Sequence, residues 1–341
     1  MAQAFGNRVL TTTQDEILPK LVDTILNSNV FATRMLGRAK AWKGEQIKQP
    51  IKVSKNSTGT SFSGFDTFST SATNNRQNLA YSPAFYQITA ALPLTELSAN
   101  KTDAKVLDLA AIELASAAQD MADDIGTLFF SDGTGNSNKD FLGLGAHVDD
   151  GGSVDSIGGL SRATFTTLQS TDTAAGGNLA LSELSTLHSA VSSGSIKPTL
   201  GLCDESVWNF IEQLIAPQER IIKNEPMVRR GLEVESGFTA IHYRGVPIVA
   251  DEKATAQYFF WINENFLEFY ALPLALTNPI KFRSQSIKGN DYSNVEGLGF
   301  SWSDWIKPSN SASVVGHIYL GGELCGWNPK RQGRLTGITG V

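Results

Sequence analysis

The most regular pattern in the chain is an apolar step of seven. In "TDAKVLDLAAIELASAAQDMADDIGTLFF", Thr102 to Phe130, Leu107, Leu114, Met121 and Leu128 recur at that interval, and Ala111, Ala118 and Ile125 fill the row between them. Positions spaced in this way share one face of a helix. Ala and Leu are good helix formers, the stretch has no Pro, and its one glycine, Gly126, comes near the end. The pattern predicts one helix with a narrow apolar seam that packs in a core. Thr102 or Asp103 is placed to cap it, and it is expected to be about 40 Å long.

Before this helix the pattern is mixed. "QDEILPKLVDTILNSNVFATRML" carries Ile17, Leu18, Leu21, Ile25, Phe31 and Leu36 at partly helical spacing, with Pro19 near the start where a helix tolerates it. From Trp42 the period shortens. "GEQIKQPIKVSK" sets Ile47, Ile51 and Val53 among Lys and Gln and reads as a strand despite Pro50. "LAYSPAFYQITAALPLTEL" reads as the returning strand. Between them, Asn56 to Asn75 is nearly all small and polar, except for Phe62, Phe65 and Phe68. The expectation is a long hairpin with a mobile tip, each arm of about eleven residues reaching roughly 35 Å. Such a hairpin cannot cover both of its faces within its own domain. Clustered aromatics at a polar tip point to a partner.

After the long helix, "SDGTGNSNKDFLGLG", Ser131 to Gly145, has the look of a ligand loop. An EF-hand needs Gly at the sixth position and an acid at the twelfth; counted from Asp132, these are Ser137 and Gly143. A Walker loop needs Gly-Lys-Ser/Thr leading into a helix, whereas here Gly135 precedes Asn136 and the helix comes first. The loop therefore reads as a chain reversal, its glycines allowing positive φ.

Beyond it, "LALSELSTLHSAV" reads as a helix and "TLGLCDESVWNFIEQLI" as a buried strand followed by a helix with Asp204 or Ser206 near its start. "GFTAIHYRGVPIVADEKA" and "YFFWINENFLEFYAL" add strands. In the strand-rich tail, Val314, Gly316, Ile318 and Leu320 alternate with Val315, His317 and Tyr319. No internal repeat is visible. The whole reads as α+β.

Composition narrows the function. The 341 residues suffice for a sizeable core. A net charge of -6 argues against gripping nucleic acid over the whole surface, though not against enclosing it. The 2 cysteines, Cys203 and Cys325, make no disulfide framework and no zinc quartet, which suggests a reducing compartment. The start lacks a signal-peptide pattern, and no apolar run is long enough to span a membrane.

Catalytic signatures are missing: there is no HExxH, CxxC, GxSxG or helix-opening GxGxxG. His147, His188, His242 and His317 are scattered, without metal-ligand spacing. Cys203, His242 and Asp251 would form a nucleophile, base and orienter only if the fold gathered them; Cys203 in "TLGLC" reads as a buried core thiol. Trp302 and Trp305 read as core or interface anchors. "NPKRQGR" makes a modest basic cluster of Lys330, Arg331 and Arg334. No metal or cofactor is expected.

The order of elements is more specific than any motif. "GEQIKQPI" resembles the start of an extended loop. "DLAAIELASAAQDMADDIGTLFFSDGTGNSNKDFLGL" resembles a spine helix and its glycine-containing turn. "YRGVPIVADEKA" followed by "YFFWINENFLEFY" resembles the strand pair of an axial domain. Together they resemble the major capsid proteins of tailed bacteriophages, with the Hong Kong 97-type fold, over nearly the whole chain. That resemblance implies an N-terminal arm (1–40), an extended loop hairpin (41–92), a peripheral domain with the spine helix (93–177), an axial domain (178–277) and a return to the peripheral domain (278–341). It implies a virion shell protein rather than an enzyme, assembled in the host cytoplasm as hexamers and pentamers around double-stranded DNA.

The DNA would be held by weak non-specific contacts such as Lys330, Arg331 and Arg334. Phe62, Phe65 and Phe68 are the expected contacts between subunits. No long charged helical segment precedes the arm, so a separate scaffolding protein and a portal are expected partners. Lys52 and Lys55 lie where some relatives form a covalent cross-link to Asn, but no partner Asn or catalytic acid is marked, and that chemistry is not carried over. Two alternatives stand beside this reading: an encapsulin-like compartment shell, and a hydrolase using Cys203 and His242.

Overall fold

The computed structural model describes residues 29–99, 109–215, 240–274, 278–279 and 299–341. The expected caps Thr102 and Asp103, and the helical pattern around Ile17–Ile25, lie outside the described residues.

Five helices are used below: α1 (Val30–Leu36), α2 (Leu94–Ala99), α3 (Leu109–Leu128), α4 (Leu181–Val191) and α5 (Glu205–Ile215). The seam of the long helix α3 is buried as its spacing requires: Leu114, Ala118, Met121, Ile125 and Leu128 all face the core. Gly126 has a packing role, because a Cβ there would lie 2.5 Å from the side chain of Asn29. Phe31, Met35 and Leu36 of α1 share this core with α3, so the end of the expected arm is docked rather than free.

One sheet holds β1 (Lys40–Ala41), β4 (Ala84–Pro93), β12 (Leu267–Ala271), β13 (Asn278–Pro279), β14 (Phe300–Trp302) and β15 (Ser313–Gly326). Its organiser is β15, which pairs antiparallel with β4 from Ser313↔Pro93 to Gly322↔Ala84 and with β12 from Gly322↔Ala271 to Gly326↔Leu267. Gly316 permits this packing, since a Cβ there would meet the Trp302 ring at 2.2 Å.

A second, mixed sheet runs in the order β7 (Thr171–Asn178), β16 (Gly333–Gly340), β11 (Phe259–Ile262), β8 (Leu200–Cys203), β10 (Val246–Ala250) and β9 (Ala240–Tyr243). β8 and β11 are buried at every position and apolar but for Gly201, as expected for central strands covered on both faces. Leu184, Leu187 and Val191 of α4 and Val207 and Ile211 of α5 pack with Phe259 and Trp261. The last strand of the chain, β16, thus belongs to this sheet, and β12 belongs to the other. The divisions expected at 177/178 and 277/278 cut across sheet membership.

The hairpin differs from its expected form. β2 (Ile47–Lys52) pairs antiparallel with β3 (Arg76–Tyr81), each of 6 residues. At Ser82-Pro83 the chain leaves the ladder. Proline has no N–H to continue the pairing, and the following residues form β4 in the first sheet. Residues 94–97, read as more strand, belong to α2. The root is fixed: Leu79 and Tyr81 are buried beside Ile157, Leu168 and Trp327, and the Tyr81 hydroxyl donates to Gly326 O at 2.7 Å. Ala80 N donates to Gly158 O at 3.0 Å, between the short paired strands β5 (Ser156–Ile157) and β6 (Leu160–Ser161).

Candidate functional site

Beyond Lys52 and Arg76 the hairpin opens into a loop whose neck is tied by polar contacts. Val53 N donates to Asn75 O at 2.9 Å. Asn56 Oδ1 accepts from Thr58 N at 3.0 Å and from the Thr73 hydroxyl at 3.1 Å. Every residue from 59 to 74 is exposed. Phe62, Phe65 and Phe68 have relative exposures of 68%, 104% and 59%. Phe62 and Phe68 meet edge to face at 5.1 Å, and Ser63 N donates to Asp66 Oδ2 at 2.7 Å between them. The tip thus presents an aromatic group that its own subunit leaves in solvent.

Charge separates this loop from the helix behind it. Residues 43–76 carry Lys43, Lys48, Lys52, Lys55 and Arg76 against only Glu45 and Asp66, in a chain whose net charge is -6; all five cations are exposed. α3 carries Glu113, Asp120, Asp123 and Asp124 and no Lys or Arg. Asp120 and Asp123 are exposed.

The Ser131–Gly145 loop is a reversal, as read. Asp132 Oδ1 accepts from Thr134 N at 3.0 Å and from the Thr134 hydroxyl at 2.7 Å, and these bonds lower its pKa. Gly133 has φ +80°, and Asn136, Ser137 and Asn138 follow with φ of 49°, 63° and 62°. They form a left-handed turn, tied by Asn136 Nδ2 donating to Asp140 Oδ1 at 2.7 Å. The side chain of Glu323 on β15 accepts from Leu142 N at 2.7 Å. Asp132 Oδ1 and Asp140 Oδ1 are thus engaged within the turn itself.

The hydrolase constellation is not gathered. Cys203 is aligned with Ala250 on β10, and His242 on β9 is aligned with Pro247. That places them two strands apart and three residues out of step, roughly 10 Å in each direction. Asp251 faces elsewhere, accepting from Phe31 N and Lys253 N, both at 3.0 Å. Burial raises the Cys203 thiol well above its ordinary pKa, the opposite of activation.

The basic cluster is also divided. Lys330 is exposed, but Arg331 is half-buried and donates to Val191 O at 3.2 Å. Arg334 is buried, and corrects the expectation of a DNA contact: it donates to Asp172 Oδ2 at 2.8 Å and to Asp149 Oδ2 at 2.9 Å. Asp149, Asp150 and Asp172 approach within 4.8 Å of one another, as metal ligands would. Asp149, however, already accepts from the backbone of Gly151 at 2.7 Å and Val154 at 3.1 Å and pairs with Arg162 and Arg334. This is an ion network joining β16 to the 149–172 segment. Sequence spacing did not reveal it, because Arg334 lies 162 positions from Asp172 and 185 from Asp149.

No protein-family model and no curated protein sequence matches the chain. Solved structures do. The capsid asymmetric unit of cyanophage A-1(L) is similar with a TM-score of 0.69 at 14% identity, over 92% of this chain and 93% of that one. The holo-SrpI encapsulin complex from Synechococcus elongatus PCC 7942 gives 0.56 at 13% identity, over 90% and 87%. The capsid of Myoviridae phage XM1 gives 0.55 at 13% identity, over 90% and 92%. The likeness runs nearly end to end in both partners. The chain therefore has the α+β Hong Kong 97-type capsid fold that the order of its elements implied. Among the described residues no helix is long and apolar enough to cross a membrane.

Proposed function

We propose that this chain is the major capsid protein of a tailed bacteriophage, a shell subunit without catalytic activity. Many copies assemble in the host cytoplasm into hexamers and pentamers of an icosahedral virion shell around double-stranded DNA. The observation that carries this reading is the end-to-end likeness to the cyanophage A-1(L) capsid, stronger than that to the encapsulin complex. The exposed aromatic tip supports it from within the chain: Phe62, Phe65 and Phe68 are three large apolar side chains left mostly in solvent. A cationic loop and an acidic helix face give each subunit both halves of a complementary contact with another copy. The DNA would be enclosed by a chain of net negative charge, with Lys330 as an exposed cation and Arg334 removed from that role. A separate scaffolding protein and a portal complete the expected partners.

Negative-stain microscopy of the purified protein tests the reading directly. Closed shells or ring-shaped capsomers are expected, and a monodisperse monomer at all concentrations would overturn it. The encapsulin alternative, favoured by the Synechococcus elongatus match, predicts shells that co-purify with an enzyme as cargo. A hydrolase would show a reactive Cys203 in native protein; the buried thiol is expected to resist labelling until the chain unfolds.

A further inference from the structure

The second sheet carries a cleft outside every feature used above. It opens between the end of α4 and the β9–β10 turn, has a volume of about 440 Å³, and is lined by His188, Ser189, Ser192, Gly194, Lys197 and Arg244. The lining includes two permanent cations and no carboxylate.

Three observations mark the cleft as built to receive something. Arg244 occupies the first place of a two-residue turn with φ +52°, followed by Gly245 at +80°. A left-handed Arg is strained, and Asn, Asp or Gly fill such places more easily. The strain is accompanied by placement: the Arg244 guanidinium donates to the hydroxyls of Ser185 and Ser189 on α4. Neither Arg244 nor Lys197 forms an ion pair among the described residues. His188 is 5% exposed, its ring packs edge to face on Trp261 at 5.5 Å, and its Nε2 has no hydrogen-bond partner. Burial, then Arg244 and Lys197, lower its pKa. Two cations without a carboxylate partner leave a local excess of positive charge in a chain that is negative overall.

We propose that this cleft is an oxyanion site, in which Arg244 and Lys197 hold a phosphate or carboxylate group beside His188, the Ser189 and Ser192 hydroxyls being engaged with Ser185 O and His188 O. Arginine presents paired N–H groups suited to such an anion, while lysine acts as a point charge. The shared chemistry has two sources: a free anion in solution, or an acidic side chain of a second copy of this chain. The site belongs to a single chain, so its existence does not rest on shell formation; only the second source does.

Calorimetric titration of dissociated subunits with inorganic phosphate, against sodium chloride at matched ionic strength, tests the proposal. One phosphate per chain is expected. Affinity should fall tenfold or more in both Arg244→Gln and Lys197→Gln and stay unchanged in Lys139→Gln, which removes an exposed cation elsewhere. Sedimentation of assembled protein separates the sources. If a neighbour's carboxylate fills the cleft, Arg244→Gln and added phosphate both lower the assembled fraction. If the ligand is a free anion, Arg244→Gln assembles as the parent does. Phosphate heats no larger than those of chloride, or equal affinity in the parent and Arg244→Gln, would overturn the site whether or not the protein forms shells.

Discussion

Asp251 Oδ2 accepts the backbone N–H of Phe31 at 3.0 Å, across 220 positions of sequence. The bond fixes the first turn of α1 to the loop that leaves β10, and so joins the docked arm to the second sheet. Both residues are buried, and Asn29, before α1, makes no side-chain cap of its own. Asp251 is thus a cap supplied from elsewhere in the chain. Asp251→Ala should lower stability by about 1–3 kcal/mol, because it strands a buried donor. Asp251→Asn keeps an acceptor in place and should lose less than half as much. Urea midpoints of the two variants decide the matter, and equal losses would mean that packing volume rather than the bond is responsible.

Met121 lies at the centre of the α3 seam with no exposure. Met121→Asp places a carboxylate among Leu114, Ala118 and Ile125 with no cation on its own helix to pair with. A cost of several kcal/mol is expected, near the whole stability of many domains. Soluble yield and thermal melting should both fall, and an unchanged melt would mean that the seam does not carry the core.

The seam also shows how far the sequence could be read. Its period fixed the helix, its face and its burial, because i and i+7 positions of one helix meet the same neighbours whatever the rest of the chain does. The apolar runs 200–203 and 259–262 marked buried strands for the same local reason. What could not be read was partnership. β4 was legible as a strand, but not its departure from β3 at Pro83 to lie along β15. β16 was legible as strand-rich tail, but not as a member of the second sheet. Arg334 in a run of basic residues looked solvated, because its partners Asp149 and Asp172 are far away in sequence. The exposed aromatics stood out because Phe62, Phe65 and Phe68 interrupt a tract of Ser, Thr and Gly that needs no fold to be read.

Two buried groups give stability a pH dependence of opposite sign. Burial raises Glu323 to about 8, against the N–H groups of Leu142 and Leu324. Burial lowers His147 to about 4, opposed by its bond to Leu324 O. The stability linked to Glu323 is fully present below its unfolded pKa near 4.5 and is lost as pH rises through about 8. That linked to His147 is present above its unfolded value of 6.5 and is lost as pH falls toward 4. Asp251, raised by burial, adds to the first trend, and His188, lowered by burial, adds to the second. The two slopes oppose each other in mildly acidic solution, and Glu323 dominates above neutrality. Unfolding free energy should therefore fall by roughly 1–2 kcal/mol between about pH 6.5 and 8. Glu323→Gln retains an acceptor for Leu142 N and should flatten that limb. An unaltered slope in Glu323→Gln would assign the titration to another group.

The tip of the hairpin should matter to assembly and hardly at all to the subunit. Residues 59–74 are exposed throughout, so removing them uncovers no core, while the ladder below remains paired from Lys52↔Arg76 to Ile47↔Tyr81. Holding such a segment in one conformation costs about 1–2 kcal/mol of backbone entropy per residue. Covering each ring of Phe62, Phe65 and Phe68 on a neighbour returns at most roughly 4 kcal/mol, for about 150 Å² at about 25 cal/mol per Å². That offsets only part of the ordering cost, and a closed shell repeats the contact at every subunit. Replacement of 58–74 by Asn-Gly, a sequence suited to a two-residue hairpin turn, should leave circular dichroism and the melting temperature close to the parent. Large particles should disappear from sedimentation profiles. The triple change of Phe62, Phe65 and Phe68 to Ser, which keeps the loop length, should reproduce most of that loss if the rings are the contact. Normal closed shells from the shortened protein would show that the tip joins nothing. Loss of shells in the shortened protein alone would assign the contact to the polar backbone of the loop instead of its aromatic side chains.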